Sequence, residues 1–415
     1  MDKTPFDVVV FGATSFVGRI LCRYLLQEYG SGGKHGVRKL SWAIAGRSRA
    51  KLDGLVEALG PEAKNLTAIV ADAADEKALE ALCTATRVVI STVGPYTLYG
   101  EPMVRVCTRL GTDYCDLAGE APWMRRMITQ YSDAATRSNA RMVHCCGFDS
   151  IPSDMGVWFL QEQAMLHFGE PCTEVKMRVK ALRGAASGGT VASIVNVVRE
   201  ATHDAALRKE LRNPYSLCPP DTSTKTRQTN IARPVFDDDF QAWSAPFVMA
   251  AINVRVVLRS NALRNHPYGH DFRYDEAMLT GKGFSGHAKA LGITAGLAGF
   301  VAAAAVPPTR WLMEKLLLPA PGEGPSLDAQ EKGCFDLRFI GRTGDGRELR
   351  VKVTGDRDPG YGSTAKMLGE AAACLAQDVT KDNVGGGFWT PSTALGNALH
   401  TRLEAHAGIR FLLME

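Results

Sequence analysis

The chain has 415 residues, which is too long for one ordinary core and fits two or three domains at about 150 residues each. Its 45% hydrophobic and 22% charged content, with 41 Gly and 20 Pro, is close to globular averages and excludes wholesale disorder and fibrous repeats. Lys plus Arg is 48 against 44 Asp plus Glu, so a formal net charge of +4 leaves no basic footprint for nucleic acid, and none is expected as a partner.

The ten cysteines include no Cys-x-x-Cys pair and no spacing typical of zinc ligands. They are therefore predicted to be reduced thiols in the core, and no metal site is predicted. The segment Met1–Asp7 is short and charged and leads into a strand without the apolar run of a secretory signal. Both observations lead us to expect a cytoplasmic, reducing compartment.

Strand and helix patterns alternate over the first 150 residues. Asp7–Phe11 is an apolar run without polar alternation, as expected for a strand buried on both faces of a parallel sheet, and apolar residues then recur at helical spacing up to Gly30. The predicted strands are Asp7–Phe11, Leu40–Ala45, Leu66–Val70, Arg87–Val93, Thr112–Leu117 and Arg141–Cys145. Because parallel neighbours need crossovers of this length, we predict a Rossmann-type, doubly wound α/β sheet over residues 1–150.

The pattern becomes irregular after Gly147, which predicts a second, mixed α/β domain over residues 151–360. It contains a strand pattern at Glu174–Leu182, a long surface loop or lid over 213–246, and a hairpin pattern at Cys334–Ile340 and Glu348–Val353. We assign substrate binding and homodimerisation to this domain. Residues 361–415 are predicted to be C-terminal helices that return toward the first domain.

An apolar segment from Ala290 to Val306 carries no charge over seventeen residues. A membrane span needs about 20 predominantly apolar residues, and this segment owes much of its apolarity to Ala and Gly. Three interpretations stay open: a closely packed helix inside the protein or at a subunit interface, a shallow peripheral contact with a membrane, and a true span. Trp311 and Arg310 follow the segment and suit the membrane interface.

The sharpest local motif begins directly after the first strand and opens a helix. In a dinucleotide fingerprint the glycines make the tight turn, admit the pyrophosphate and allow close helix packing, while the helix N-terminus offers N–H groups to the anion. A serine occupies the place of a further glycine, and its hydroxyl is suited to phosphate. The residues predicted to bind the cofactor here are Gly12, Thr14, Ser15, Phe16, Val17 and Gly18.

The end of the second strand indicates which nucleotide is preferred. An NAD site places an acidic residue here for the ribose 2′-hydroxyl, whereas this chain has Arg47, Ser48 and Arg49, which suit a 2′-phosphate. NADP is therefore the expected cofactor. Asp72 ends the third strand and is predicted to meet the adenine; the alternative is that it caps the next helix.

Candidate catalytic residues follow the next strands, whose carboxyl ends share the edge where the nicotinamide is expected. Gly94 and Pro95 are predicted to form a rigid turn beside the cofactor. Tyr96, Tyr99 and Glu120 are the candidate proton donors or substrate contacts. The alternative is a proline turn with packed tyrosines. Glu101, Asp116, Asp149 and Asp154 add further carboxylates to this set, with helix capping as the alternative for the last two.

Taken together, these motifs resemble the saccharopine dehydrogenase-like oxidoreductases. The motifs that carry the resemblance are Gly12–Gly18, Ala45–Ser48, Val93–Tyr96, Tyr99–Glu101, Asp116–Glu120 and Gly147–Asp154. Later motifs look like the bacterial branch that contains the trans-acting enoyl reductases of mycobacterial glycolipid synthesis: Pro321–Ser326, Gly355–Tyr361, Thr364–Leu368 and Gly386–Pro391. The resemblance spans nearly the whole chain.

The resemblance implies a Rossmann domain, a smaller mixed α/β domain inserted before the C-terminal return, and NAD(P)-dependent redox chemistry. It implies cofactor contacts at Gly12, Gly18, Arg47, Ser48, Gly94 and Pro95. Ser15 departs from the family pattern, where glycine is common. A family name does not transfer a substrate.

The resulting hypothesis is an NADP-dependent reductase of an acyl or lipid-like substrate, with enoyl reduction as the specific reaction. The apolar 290–306 segment motivates the lipid preference and an expected peripheral membrane contact. Two alternatives stay open: a dehydrogenase of an amino-acid-derived imine, and a lipid-associated protein that binds nucleotide without turnover.

Overall fold

The computed structural model describes residues 4–30, 38–184, 188–222, 224, 226–317 and 324–414. The chain divides into two compact units. The first comprises residues 1–148, 319–326 and 360–408, and the second comprises 149–318, 327–359 and 409–415. The roles assigned above to the segments 1–150, 151–360 and 361–415 stay predictions.

The strands are, in chain order, β1 (Phe6–Phe11), β2 (Trp42–Gly46), β3 (Thr67–Val70), β4 (Thr86–Ser91), β5 (Asp113–Asp116), β6 (Arg141–Val143), β7 (Glu174–Arg183), β8 (Val235–Asp237), β9 (Ala242–Pro246), β10 (Arg273–Gly281), β11 (Cys334–Arg342), β12 (Glu348–Gly355), β13 (Gly387–Trp389) and β14 (Ile409–Met414). The helices are α1 (Phe16–Tyr29), α2 (Arg49–Leu59), α3 (Glu76–Thr84), α4 (Tyr96–Tyr99), α5 (Glu101–Leu110), α6 (Ala121–Ser138), α7 (Ile151–Phe168), α8 (Gly188–His203), α9 (Ala205–Leu211), α10 (Ala250–Leu263), α11 (Gly283–Ala305), α12 (Pro307–Leu317), α13 (Leu327–Glu331), α14 (Thr364–Gln377) and α15 (Pro391–Arg402).

The first unit is built on a sheet of seven strands in the order β13-β6-β5-β4-β1-β2-β3. Every pair in it is parallel, with Val9 of β1 opposite Ala43 on one side and Val89 on the other. Val8, Val9 and Val10 are fully buried, which explains the uninterrupted apolar run of this strand. The predicted Rossmann-type sheet is confirmed. Strand β13 was not predicted because three residues are too few to show a pattern.

The C-terminal return is joined to the first unit by buried polar contacts. The Glu370 carboxylate on α14 accepts hydrogen bonds from the hydroxyls of Tyr24 and Tyr29 on α1. The Arg141 guanidinium on β6 pairs with the buried carboxylate of Asp113 and also donates to backbone carbonyls at the end of α14. These polar groups are buried away from water, so each depends on its protein partner for its hydrogen bonds.

The second unit contains a mixed sheet in the order β14-β12-β11-β7-β10-β9-β8. Strands β7 and β10 are parallel, and the other neighbours are antiparallel. The predicted hairpin is present as β11 and β12. Helices α7 and α10 pack on this sheet and enclose its core.

Two segments of the second unit differ from the sequence-based expectation. The predicted loop 213–246 contains β8 and β9, which pair as a hairpin in which Phe236 lies opposite Trp243. The predicted helical tail ends instead in β14, where Ile409 and Phe411 are buried on alternate positions against β12. Strand β9 pairs with β10 and β14 pairs with β12, and both of these partners are distant in sequence, so local propensity did not reveal the two strands.

Candidate active site

The turn between β1 and α1 has two glycines that no other residue replaces without strain. Gly12 has φ +87°, and a Cβ there would lie 2.8 Å from the Thr92 hydroxyl oxygen. A Cβ at Gly18 would lie 2.4 Å from the carbonyl oxygen of Gly12. The missing side chain at Gly12 lets the turn pack against the end of β4. The missing side chain at Gly18 lets the first turn of α1 pack on the backbone of the loop.

Ser15, which stands where the family commonly has glycine, is the N-cap of α1. Its Oγ accepts a hydrogen bond from the Gly18 N–H at 2.9 Å and lies 3.0 Å from the Thr92 hydroxyl. The serine thus supports the turn from within. The backbone N–H groups of Thr14, Phe16 and Val17 form no hydrogen bond within the described part of the chain. They are available to an anion at the positive end of the helix.

The Phe16 ring, at the start of α1, is held by residues from the C-terminal part of the first unit. Its centroid lies 4.8 Å from that of Tyr361 in an edge-to-face arrangement. A Cβ at Gly324 would come within 2.4 Å of the same ring. Tyr361 and Gly324 therefore belong to the surroundings of the cofactor turn. Both lay in motifs noted only for the resemblance, and no local signal assigned them to the site.

The three candidate residues for the 2′-phosphate have different surroundings. Ser48 is the N-cap of α2, and its Oγ accepts from the Lys51 N–H at 3.4 Å. Arg49 forms an ion pair with Asp53 at 2.9 Å. Arg47 is exposed and has no ion-pair partner among the residues that the structure describes. Of the two arginines, Arg47 is thus the one whose guanidinium is free for a phosphate.

Asp72, predicted to meet the adenine, is exposed beyond the end of β3. Its Oδ1 accepts a hydrogen bond from the Ala74 N–H at 2.9 Å, which closes a local turn, and Asp75 rather than Asp72 caps α3. The contact with adenine stays a prediction.

Glu120 is buried, and its carboxylate holds the segment that follows Pro95. It accepts hydrogen bonds from the N–H of Tyr96 at 3.0 Å, from the N–H of Thr97 at 2.8 Å and from the Thr97 hydroxyl. Pro95 follows Gly94 through a cis peptide bond and immediately precedes α4. Glu120 therefore caps α4 across the sheet edge, which positions the Gly94-Pro95 turn.

The two candidate tyrosines of α4 have opposite environments. The Tyr96 hydroxyl is buried, donates to the carbonyl of Ser91 at 2.9 Å and accepts from the N–H of Leu117 at 3.1 Å. Burial raises the pKa of Tyr96 well above its usual value. Tyr99 is 48% exposed, and its hydroxyl has no hydrogen-bond partner in the described ranges. The Tyr96 hydroxyl thus links the end of β4 to the residue that follows β5, which is a structural role, whereas the phenol of Tyr99 is accessible to a ligand.

A buried carboxylate–imidazole pair lies at the ends of β5 and β6. Nδ1 of His144 donates to the Asp116 carboxylate at 2.7 Å, and the other Asp116 oxygen accepts from the Ala118 N–H at 3.0 Å. The His144 ring packs on Trp123, with centroids 5.3 Å apart. Sequence reasoning singled out Asp116 but missed His144, which lies near the carboxyl end of the predicted sixth strand, Arg141–Cys145; that position was the available signal.

Among the other carboxylates named from the sequence, Glu101 and Asp154 have hydrogen-bond partners within their own unit. Glu101 accepts from Arg105 at 3.2 Å. In the second unit, Asp154 accepts from the Ser260 hydroxyl at 2.5 Å, and burial raises the pKa of Asp149 to about 6. Within the described ranges, no cluster of three His, Cys, Asp or Glu side chains is arranged to hold a metal ion.

Replacing Glu120 by glutamine is expected to lower the free energy of unfolding by about 2 kcal/mol, because an amide cannot accept from all the donors that face it. Denaturant titration measures this change. Glu80→Gln is the matched control, since its ion pair with Arg109 is exposed and should contribute under about 1 kcal/mol. If Glu120 instead protonates the substrate, Glu120→Gln will remove one limb of the pH profile of kcat while leaving stability unchanged.

The parallel sheet, the glycine turn with its available N–H groups and Arg47, unpaired among the described residues, define a Rossmann-type dinucleotide-binding protein whose site fits NADP. The family model described as the saccharopine dehydrogenase NADP binding domain matches residues 8–143. The chain belongs to the saccharopine dehydrogenase-like family and is an NADP-dependent oxidoreductase.

The chain is similar to curated relatives along almost its entire length. A trans-acting enoyl reductase of Mycobacterium tuberculosis is 36% identical over 424 residues, covering 98% of this chain and 97% of that protein. A trans-acting enoyl reductase of Mycobacterium ulcerans is 33% identical over 414 residues, covering 97% and 96%. Among solved structures, saccharopine dehydrogenase (L-Glu forming) of Saccharomyces cerevisiae has a TM-score of 0.54 at 13% identity, covering 99% of this chain and 100% of that one. This last likeness supports the fold alone.

Proposed function

We propose that the chain reduces the carbon–carbon double bond of an enoyl thioester with an apolar acyl chain. The observation that carries this proposal is the similarity to relatives named trans-acting enoyl reductase over nearly the full length of both chains. The cofactor turn supplies the means, since it suits NADP, whose reduced form delivers hydride to an electron-poor carbon when bound.

Cofactor binding is assigned to the described residues of the first unit. The N–H groups of Thr14, Phe16 and Val17 would hold the pyrophosphate, and Arg47 would hold the 2′-phosphate. Gly94 and Pro95 form the turn that Glu120 holds at the carboxyl edge of β4, where the nicotinamide half binds in sheets of this type.

Proton delivery is assigned to Tyr99. Addition of hydride to the β carbon of an enoyl thioester places negative charge on the α carbon and the thioester oxygen, and a proton on the α carbon completes the reduction. The Tyr99 phenol has no competing hydrogen bond among the described residues, whereas the Tyr96 hydroxyl and the Glu120 carboxylate are engaged with the backbone. Tyr99 is therefore the proposed donor of the three candidates.

The purified protein, given NADPH and a panel of enoyl thioesters of increasing chain length, is expected to oxidise NADPH with at least one of them. Tyr99→Phe should lower kcat about tenfold and leave the Kd for NADPH unchanged; water at this half-exposed site partly replaces the phenol, which limits the loss. Tyr96→Phe is the matched control, expected to lower stability more than kcat because it removes a buried brace.

Turnover of an amino-acid-derived imine, with no reduction of any thioester, would contradict the proposed substrate class. An unchanged kcat in Tyr99→Phe would instead contradict only the assignment of Tyr99 as the proton donor and would leave the proposed enoyl reduction standing.

A further inference from the structure

Helix α11 is apolar, long and almost unburied. It runs over Gly283–Ala305, its most apolar window has a mean hydropathy of 1.5, and only 11% of that window is buried within the protein. By length and composition it is a candidate membrane span, and the core helix of a soluble protein with such a sequence would be mostly buried. The surface of α11 therefore requires a partner that the described part of the chain does not supply.

The apolar side chains of α11 are distributed around the helix instead of forming one stripe. Successive residues rotate by about 100°, so Val301 and Ile293 point about 80° and 160° to one side of Leu291, and Ala303 points about 120° to the other side. Phe284, 87% exposed, lies on the same side as Leu291. A second protein chain that packed on one face would leave the others in water, whereas lipid can surround them.

The start of α11 is fixed to the second sheet. The His287 ring packs on Trp243 of β9 with centroids 4.1 Å apart, and the Thr280 hydroxyl donates to the Gly286 carbonyl at 2.8 Å. A Cβ at Gly286 would lie 2.2 Å from the Gly281 carbonyl oxygen, so the first turn lies directly on the end of β10. These contacts fix the first turn of α11, and with it the direction in which the later turns extend from the second sheet.

The topology of the second sheet excludes a single crossing of a bilayer. The chain enters α11 from β10 and returns as β11, and both of these strands pair with β7. The segment must therefore begin and end on the same side of a membrane. Helix α12 is 11 residues, about 16 Å, which is too short to cross back through about 30 Å of hydrocarbon. A helix lying in the membrane interface would have its apolar surface covered by lipid, and it would begin and end on the same side of the bilayer, as this topology requires.

The cationic residues in and after α11 indicate that the lipid surface is anionic. The sequence from Lys282 to Leu317, which we call the docking segment, contains Lys282, Lys289, Arg310 and Lys315 against a single acidic residue, Glu314. Arg310 carries a guanidinium, a group suited to a phosphate oxygen. Trp311 is exposed beside it, a residue type favoured at the membrane interface.

We infer that the docking segment binds the surface of a bilayer that contains anionic phospholipid, with α11 embedded at the depth of the interface and the cationic residues at the headgroups. The second unit would thereby be held at the membrane. This inference rests on the second unit alone and does not depend on the proposed reduction of enoyl thioesters.

Flotation with vesicles tests the inference, using phosphatidylcholine alone and phosphatidylcholine with phosphatidylglycerol. The unaltered protein is expected to float with the mixed vesicles and much less with the neutral ones. Leu291→Glu combined with Val301→Glu should weaken partitioning into both kinds of vesicle by about 100-fold. Lys289→Gln combined with Arg310→Gln should weaken binding to the mixed vesicles by about 30-fold, at about fivefold for each cation.

Leu166→Glu, on α7, is the matched control because Leu166 is 77% exposed outside the docking segment; it should float like the unaltered protein. Absence of flotation by the unaltered protein, or equal loss in the control, would overturn the inference.

Sedimentation velocity without lipid tests whether a second copy of this chain covers α11 instead. A stable dimer that dissociates in the Leu291/Val301 variant, together with no vesicle binding, would assign the surface of α11 to that second copy. Turnover of a soluble enoyl thioester without vesicles keeps the two proposals separable.

Discussion

Gly18→Ala is expected to raise the Kd for NADPH by at least about 100-fold, equivalent to about 2.7 kcal/mol of binding free energy. The new Cβ would lie 2.4 Å from the Gly12 carbonyl oxygen and 2.8 Å from that of Ala13, and backbone atoms cannot rotate away as a flexible side chain can. Helix α1 must therefore move off the turn, which displaces the N–H groups of Phe16 and Val17 assigned to the pyrophosphate. Unfolding free energy should also fall by about 3 kcal/mol.

Fluorescence titration with NADPH and denaturant unfolding measure the two effects of Gly18→Ala separately. Gly54→Ala is the matched control, since Gly54 lies inside α2 with nothing within 4 Å of its added Cβ. That substitution should leave the Kd unchanged and stabilise the protein by up to about 1 kcal/mol through helix propensity. An unaltered Kd for NADPH in Gly18→Ala would show that the cofactor does not use the start of α1.

Arg47→Ala is expected to raise the Kd for NADPH by about 10- to 100-fold and to leave the Kd for NADH unchanged. The expected loss corresponds to a hydrogen-bonded contact between a guanidinium and a phosphate, about 1.5–3 kcal/mol. Only NADPH carries the 2′-phosphate, so the substitution should remove the preference between the two nucleotides. Parallel titrations of both nucleotides, repeated at higher salt, measure the effect and its electrostatic origin.

Arg49→Ala is the control for this second substitution, because the Arg49 guanidinium is already paired with Asp53. It should change the Kd for NADPH by less than about threefold. A larger effect of Arg49→Ala than of Arg47→Ala would move the 2′-phosphate site by two residues. An equal effect of Arg47→Ala on NADH and NADPH would contradict the assignment of the phosphate contact.

The features predicted from the sequence are those that local chemistry determines. A parallel strand buried on both faces must be an apolar run, as β1 is, and a turn with positive φ at Gly12 must be glycine. Arg47 could be recognised because it follows a strand whose end is set by the same pattern. The parallel sheet and its glycine turn were therefore predictable from the sequence, whereas the contact of Arg47 with the 2′-phosphate stays a prediction.

The features that the sequence did not reveal depend on partners far along the chain. The carboxylate of Glu120 caps a helix 24 residues earlier, and His144 meets Asp116 across 28 residues. Each of these roles requires knowing which strand ends are adjacent, and spacing along a single chain does not contain that information.

The last part of the chain, residues 360–415, is divided between the two units: 360–408 complete the first and 409–415 the second. A nascent polypeptide leaving the ribosome consequently cannot finish the first unit before residues 360–408 have emerged, or the second before 409–415 have emerged. Until α14 emerges, the Tyr24 and Tyr29 hydroxyls lack the Glu370 acceptor that they have in the finished protein. Early termination anywhere before this stretch should therefore yield a product recognised by cellular quality control instead of a nucleotide-binding fragment.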